Sequence, residues 1–175
     1  MSEPQFRAPS AGAACPPSVR TAMPLLENRI PPPVMTLVVA TAMWGASLLS
    51  PPIAVDRIVH LGLVVAFLLL AALFGAPAFL AFGRANTTID PVHVDRASAI
   101  VTTGIYGITR NPMYVGLTGL LLSWAAYLVA PWSLFGPLFF VLYITRFQIM
   151  PEERAMTAKF GAAYTDYKGR VRRWL

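Results

Sequence analysis

The sequence predicts an all-α integral membrane protein with about four transmembrane helices, the last two forming a short C-terminal helical hairpin that leads into a cytoplasmic tail. Three observations predict it. Of 175 residues, 56% are hydrophobic and 13% charged, about half the charged share of a soluble domain. Residues 30–55, 58–83 and 111–145 carry no charge at all. A spanning helix takes about 20 residues, so the first two runs each fit one helix and the third fits two short ones. The basic residues also sort by topology. With an inside N-terminus, 13 of the 14 Lys and Arg fall on the cytoplasmic side and only Arg57 falls outside, the bias that sets orientation. The net charge of +6 therefore reads as membrane topology and not as nucleic-acid binding.

Each element follows from local chemistry, and the chain divides into three parts. Residues 1–32, rich in Pro, Ala and Ser, read as a disordered or loosely packed segment. Residues 33–83 hold two helices. The first, over 34–50, stops at Ser50-Pro51-Pro52; the second, over 58–82, contains Gly75 and Pro77 and is expected to kink there. Residues 84–175 form the third part. A long polar loop runs to residue 110, and Pro112 then suits the first turn of a helix over 112–129. Pro131-Trp132 marks a tight turn, so the helix from about 132 runs antiparallel to its predecessor and continues past Arg146. In the tail, Met156, Phe160, Tyr164, Tyr167 and Val171 share one helical face, with Gly161 and Gly169 as possible interruptions. Cys15 is the only cysteine, which excludes an intramolecular disulfide and a cysteine metal site.

Two polar clusters stand at the inner end of the hairpin. Arg110 and Asn111 precede Pro112, with Tyr114 one turn on and Gly104, Gly107 and Gly116 leaving room for a flat ligand near the backbone. After the hairpin come Arg146 and the paired acids Glu152 and Glu153. Twin carboxylates near a negatively charged leaflet need a cationic partner, and Arg154 or Lys159 could supply it within the tail. The hairpin also returns them toward Arg110, Asn111 and Tyr114. Such a site holds both charge signs and suits a zwitterionic or sulfonium ligand.

Gly104-Ile105-Tyr106, with Arg110-Asn111-Pro112-Met113-Tyr114 and Gly116, resembles the Arg-(His/Asn)-Pro-x-Tyr-x-Gly motif of the isoprenylcysteine carboxyl methyltransferase family and the related phospholipid N-methyltransferases. Glu152-Glu153, Phe160-Gly161, Tyr164 and Tyr167 resemble the C-terminal block of the same enzymes. The resemblance covers about residues 84–175. It implies S-adenosylmethionine as cofactor, bound on the cytoplasmic side over the end of the hairpin by Tyr106, Arg110, Asn111, Pro112, Tyr114, Gly116, Glu152 and Glu153. It implies catalytic roles for Arg146, which would orient an acceptor carboxylate, and for Tyr114.

The expected activity is methylation of a lipophilic acceptor reached from the bilayer, foremost a carboxylate of the isoprenylcysteine type. A phospholipid amine or a small thiol is the alternative. No metal, nucleic acid or obligate protein partner is expected. The Ala- and Arg-rich composition points to a bacterial inner membrane. Gly75 and Pro77 in the second helix, or Gly116 and Gly119 in the third, are expected to leave room for the acceptor between helices. Replacing both Glu152 and Glu153 by Gln is expected to weaken cofactor binding and spare the fold. Of the other classes weighed, a sterol-reductase-like NADPH enzyme normally carries Asn before the Tyr and Glu after the Gly, where this chain has Met113 and Leu117. A non-catalytic membrane adaptor would have no need to keep Arg110, Glu152 and Glu153 together.

Overall fold

The computed structural model describes residues 30–84 and 102–175, with side chains as far as residue 80 in the first stretch. The expectations for the N-terminal segment and for most of the polar loop, His93 included, lie outside the described residues. Among the described residues every regular element is helical.

Helix α1 spans Pro32–Ser47 and opens on prolines, whose missing N–H groups cost nothing in a first turn. Helix α2 spans Arg57–Arg84 and continues through Pro77 as one helix. Asp56 caps it, with Oδ1 accepting from the N–H of Ile58 at 2.8 Å and of Val59 at 3.3 Å. Helix α3 spans Pro112–Leu128 and begins at the predicted proline. A 3-10 turn over Pro131–Leu134 reverses the chain into α4, Phe135–Ile144. A π turn over Thr145–Ile149 then leads without a break into α5, Met150–Phe160. At Gly161 the backbone takes φ +55°, a region open to glycine, and helix α6 follows over Ala162–Arg170. The tail is thus two helices broken at Gly161, and Gly169 stays helical.

Two of the four expected spans have the required length: the α2 stretch Arg57–Leu80 and the continuous run Pro131–Phe160. Helices α1 and α3 have 16 and 17 residues. At 1.5 Å per residue they reach about 24–26 Å, short of a hydrocarbon layer of about 30 Å. The membrane character of α2 rests on its surface. Only 11% of its most apolar window is buried, and Ile58, Leu69, Leu73 and Phe79 are all more than half exposed. Each such side chain forfeits about 1.5–3 kcal/mol in water, so this helix belongs in lipid.

The core lies between α1, α3 and α4, where Met35, Val39 and Met43 meet Leu121, Ala125, Phe140 and Ile144. Trp124 Nε1 donates to the carbonyl of Ala40 at 3.0 Å, tying α3 to α1, and Ser123 Oγ donates to Val64 at 2.9 Å, tying α3 to α2. Along α2 the contact is backbone on backbone. A Cβ added at Gly116 would lie 2.9 Å from Gly75 Cα, and one at Gly119 would lie 3.0 Å from Ala71 N. The space these glycines leave is filled by the neighbouring helix, and they seat α2 on α3 in place of the expected opening for an acceptor.

Candidate functional site

The hairpin does what its short connection predicts: it brings the stretch before α3 against the start of α5. Tyr114, in the first turn of α3, is buried and donates from Oη to Glu152 Oε1 at 2.7 Å. Gln148 Nε2 donates to the same oxygen at 3.3 Å. The π turn makes this possible. Its extra residue rotates the following helix by about 100° against α-helical register. Gln148 and Ile149 are therefore buried, while Arg146 of the same turn is exposed, its guanidinium 5.4 Å from the centre of the Phe147 ring.

Glu153 faces a different set of partners. Arg173 grips it with two bonds, Nε to Oε1 at 3.0 Å and Nη2 to Oε2 at 2.8 Å. Arg110 Nη1 approaches Oε1 at 2.9 Å. The Glu153 side chain is 8% exposed and that of Arg110 10%. Although Arg110 Nη1 is within ion-pair distance, its direction is wrong for a hydrogen bond, and both Nη1 and Nε are enclosed without a hydrogen-bond partner.

Arg173 arrives through the last residues of the chain, which run alongside 109–111 as a single parallel bridge. The N–H of Arg110 donates to the carbonyl of Arg172 at 2.9 Å. Thr109, fully buried, donates from Oγ1 to the carbonyl of Arg173 at 3.2 Å, and Asn111 Nδ2 donates to that same carbonyl at 2.9 Å. Trp174 Nε1 reaches Thr145 Oγ1 in the π turn at 3.3 Å. On α6, Tyr167 donates from Oη to the carbonyl of Tyr106 at 2.7 Å.

The phenols outside the helical spans are held neutral. Burial pushes Tyr164 up to about 12, with the charge of Glu153 adding to the rise and Arg110 opposing it. Tyr106 and Tyr167 are raised well above the ordinary tyrosine value, again chiefly by burial. The bond to Glu153 raises Arg173 further above its already basic value. These tyrosines therefore stay protonated at neutral pH, and none is a ready base.

Of the predicted site residues, Tyr114 and Glu152 meet directly, as do Arg110 and Glu153. Tyr106 and Asn111 join them through Tyr167 and Arg173. Pro112, fully buried, opens α3 beside them. Gly116 faces α2 and packs on Gly75 and Ala71. Arg146 lies on the exposed side of the π turn. Sequence reasoning missed Thr109, Gln148 and Arg173. In the sequence Arg173 counts only as one of the cytoplasmic basic residues. The signal that could have found it is Trp174, an aromatic residue that a solvated tail has no use for.

Among known protein families, the phospholipid methyltransferase model matches residues 59–163, from the first turn of α2 into α6. The match extends further toward the N-terminus than the motif resemblance does. A protein of Haemophilus influenzae described as uncharacterized is 43% identical over 63 residues, which is 36% of this chain and 100% of that protein. No solved structure matches.

Proposed function

The chain belongs to the phospholipid methyltransferase family, and from that membership we propose that it uses S-adenosylmethionine to methylate a lipophilic acceptor at a membrane surface. The observation that carries this is the meeting of the two motif blocks, Tyr114 on Glu152 and Arg110 on Glu153, at one end of an apolar hairpin. We place that end on the cytoplasmic side of a bacterial inner membrane. All four long helices cross it, with α1 and α3 accommodated by local thinning.

The residues present suit the cofactor. A nine-tenths buried guanidinium with unused N–H groups, that of Arg110, matches a carboxylate such as that of the cofactor's methionine part. Glu152, oriented by Tyr114 and Gln148, suits an ammonium group or ribose hydroxyls. When bound, the cofactor supplies a methyl group made electrophilic by sulfonium charge. The chain's part is to hold an acceptor in line with it, a contribution of about 7–11 kcal/mol at most. The neutral phenols of Tyr106, Tyr164 and Tyr167 keep water out, and Tyr167 donates to the carbonyl of Tyr106. Tyr114 acts by fixing Glu152.

The family description favours the amine of a phospholipid headgroup as acceptor. Such an amine must shed its proton before it attacks. A carboxylate acceptor is the second reading, favoured by the exposed guanidinium of Arg146 at the inner end of the hairpin.

Calorimetric titration of the purified protein in detergent tests the proposal. S-adenosylhomocysteine should bind and NADPH should not. The opposite result would refute methyl transfer in favour of a reductase. Membranes carrying the protein, given methyl-tritiated cofactor, should then yield a labelled lipid-soluble product whose alkali stability separates an amine from an ester.

A further inference from the structure

The last residues of the chain are clamped against the candidate site. Helix α6 stops at Arg170, Val171 is extended at φ −119° and ψ 134°, and the residues beyond it run beside 109–111. The Arg173 carbonyl is held from two sides, by Thr109 Oγ1 at 3.2 Å and by Asn111 Nδ2 at 2.9 Å. Next to it, Trp174 packs against the core cluster and bonds Thr145. The Arg172 carbonyl on the other side accepts from the N–H of Arg110. The Arg173 backbone is thus fixed before and after its side chain, and that side chain takes both oxygens of Glu153.

We propose that Arg173 is a positioning residue: by holding Glu153 it keeps the Arg110 guanidinium open for the carboxylate of a bound ligand. The inference rests on the reading of this site as a pocket for S-adenosylmethionine, whose methionine part carries that carboxylate. A two-bond grip needs the carboxylate and the guanidinium in nearly one plane. Glu153 meets that condition for Arg173 and therefore shows Arg110 an oxygen out of line. The 2.9 Å approach of Arg110 Nη1 makes an ion pair and no hydrogen bond, and Nε is left without a partner as well. Enclosed donors of a permanent cation are costly to leave unused, which marks them as reserved for an acceptor. Glu152 does not compete for them, since it faces Tyr114 and Gln148. Without Arg173, the one cation left within 4 Å of the buried Glu153 carboxylate among the described residues is Arg110. Glu153 would then turn into line with Arg110 and take the donors that the ligand needs. Thr109 and Asn111 serve the same end one step removed, by fixing the backbone from which Arg173 reaches.

The test uses the full chain in a neutral detergent, titrated by calorimetry with S-adenosylhomocysteine and with methylthioadenosine, which keeps the adenosine and the sulfur but lacks the amino-acid part. Arg173→Gln should weaken S-adenosylhomocysteine about tenfold, the worth of one charge-assisted hydrogen bond, and leave methylthioadenosine as it is in the parent chain. Adding Glu153→Gln to Arg173→Gln removes the competing carboxylate and should restore most of the lost affinity, a rescue that a merely structural role for Arg173 does not give. Equal weakening of the two ligands, unchanged S-adenosylhomocysteine binding in Arg173→Gln, or no rescue in the double variant would overturn the assignment. A ligand-free arm separates this inference from the reading it rests on. Arg110→Gln should lower the melting temperature more in the Arg173→Gln background than in the parent, because Glu153 then depends on Arg110 alone. Equal effects in the two backgrounds would overturn the positioning role whichever ligand binds. The larger effect in a chain that ignores S-adenosylhomocysteine would support the hold of Arg173 on Glu153 and refute the cofactor.

Discussion

The two adjacent glutamates should respond oppositely to the same substitution. Glu153 is 8% exposed at its side chain and takes contacts at 2.8, 2.9 and 3.0 Å from two guanidinium groups. Glu153→Gln keeps one acceptor and turns an NH₂ toward groups that can only donate. Arg110, at 10% exposure, is left as a charge without a counterion. Removing one partner of a buried ion pair costs about 3–5 kcal/mol. Arg173 is 37% exposed and can turn to water, so a loss of about 2–3 kcal/mol is the better figure. For a chain of this size that lowers the melting temperature by roughly 5–10 °C. Glu152→Gln keeps an oxygen facing Tyr114 and Gln148 and gives up only the charge on those bonds, about 1 kcal/mol. Thermal unfolding in detergent, followed by tryptophan fluorescence and paired with calorimetric titration of S-adenosylhomocysteine, reads both effects. Glu153→Gln should melt early. Glu152→Gln should melt near the parent and lose affinity. Equal melting temperatures, or an early-melting Glu152→Gln, would refute the division of labour drawn from the geometry.

Tyr114→Phe removes the 2.7 Å donor to Glu152 while keeping the buried ring. A hydrogen bond to a charged group contributes about 1.5 kcal/mol at the low end, so affinity for S-adenosylhomocysteine should fall at least tenfold. Unchanged affinity in calorimetry would separate Tyr114 and Glu152 from the cofactor. Gly116→Ala places a methyl group 2.9 Å from Gly75 Cα and should destabilise by about 1–3 kcal/mol, because backbone cannot yield as a side chain can. Gly169→Ala, inside α6 with nothing within 4 Å, should stabilise by up to about 1 kcal/mol. Melting temperatures in the reverse order would contradict the close seating of α2 on α3.

Much of this protein is legible residue by residue. Pro112 at the head of α3, the turn at Pro131 and the break at Gly161 are local events, set by a missing N–H or an absent Cβ. The meeting of Arg110 and Tyr114 with the twin acids also follows from sequence, since a hairpin with so short a turn must return its second strand of helix to the start of the first. The different duties of Glu152 and Glu153 do not follow from it. Neighbours in the chain point about 100° apart on a helix, and which direction meets a tyrosine and which an arginine depends on the phase set by the π turn at 145–149. Nor could a basic C-terminal run announce that Arg173 would close the site and Arg172 would not. Hydropathy and helix boundaries are properties of short stretches, and the sequence by itself determined them. The pairing of charges 20 and 43 positions apart is a property of the closed chain, decided by the packing that brings those stretches within 3 Å.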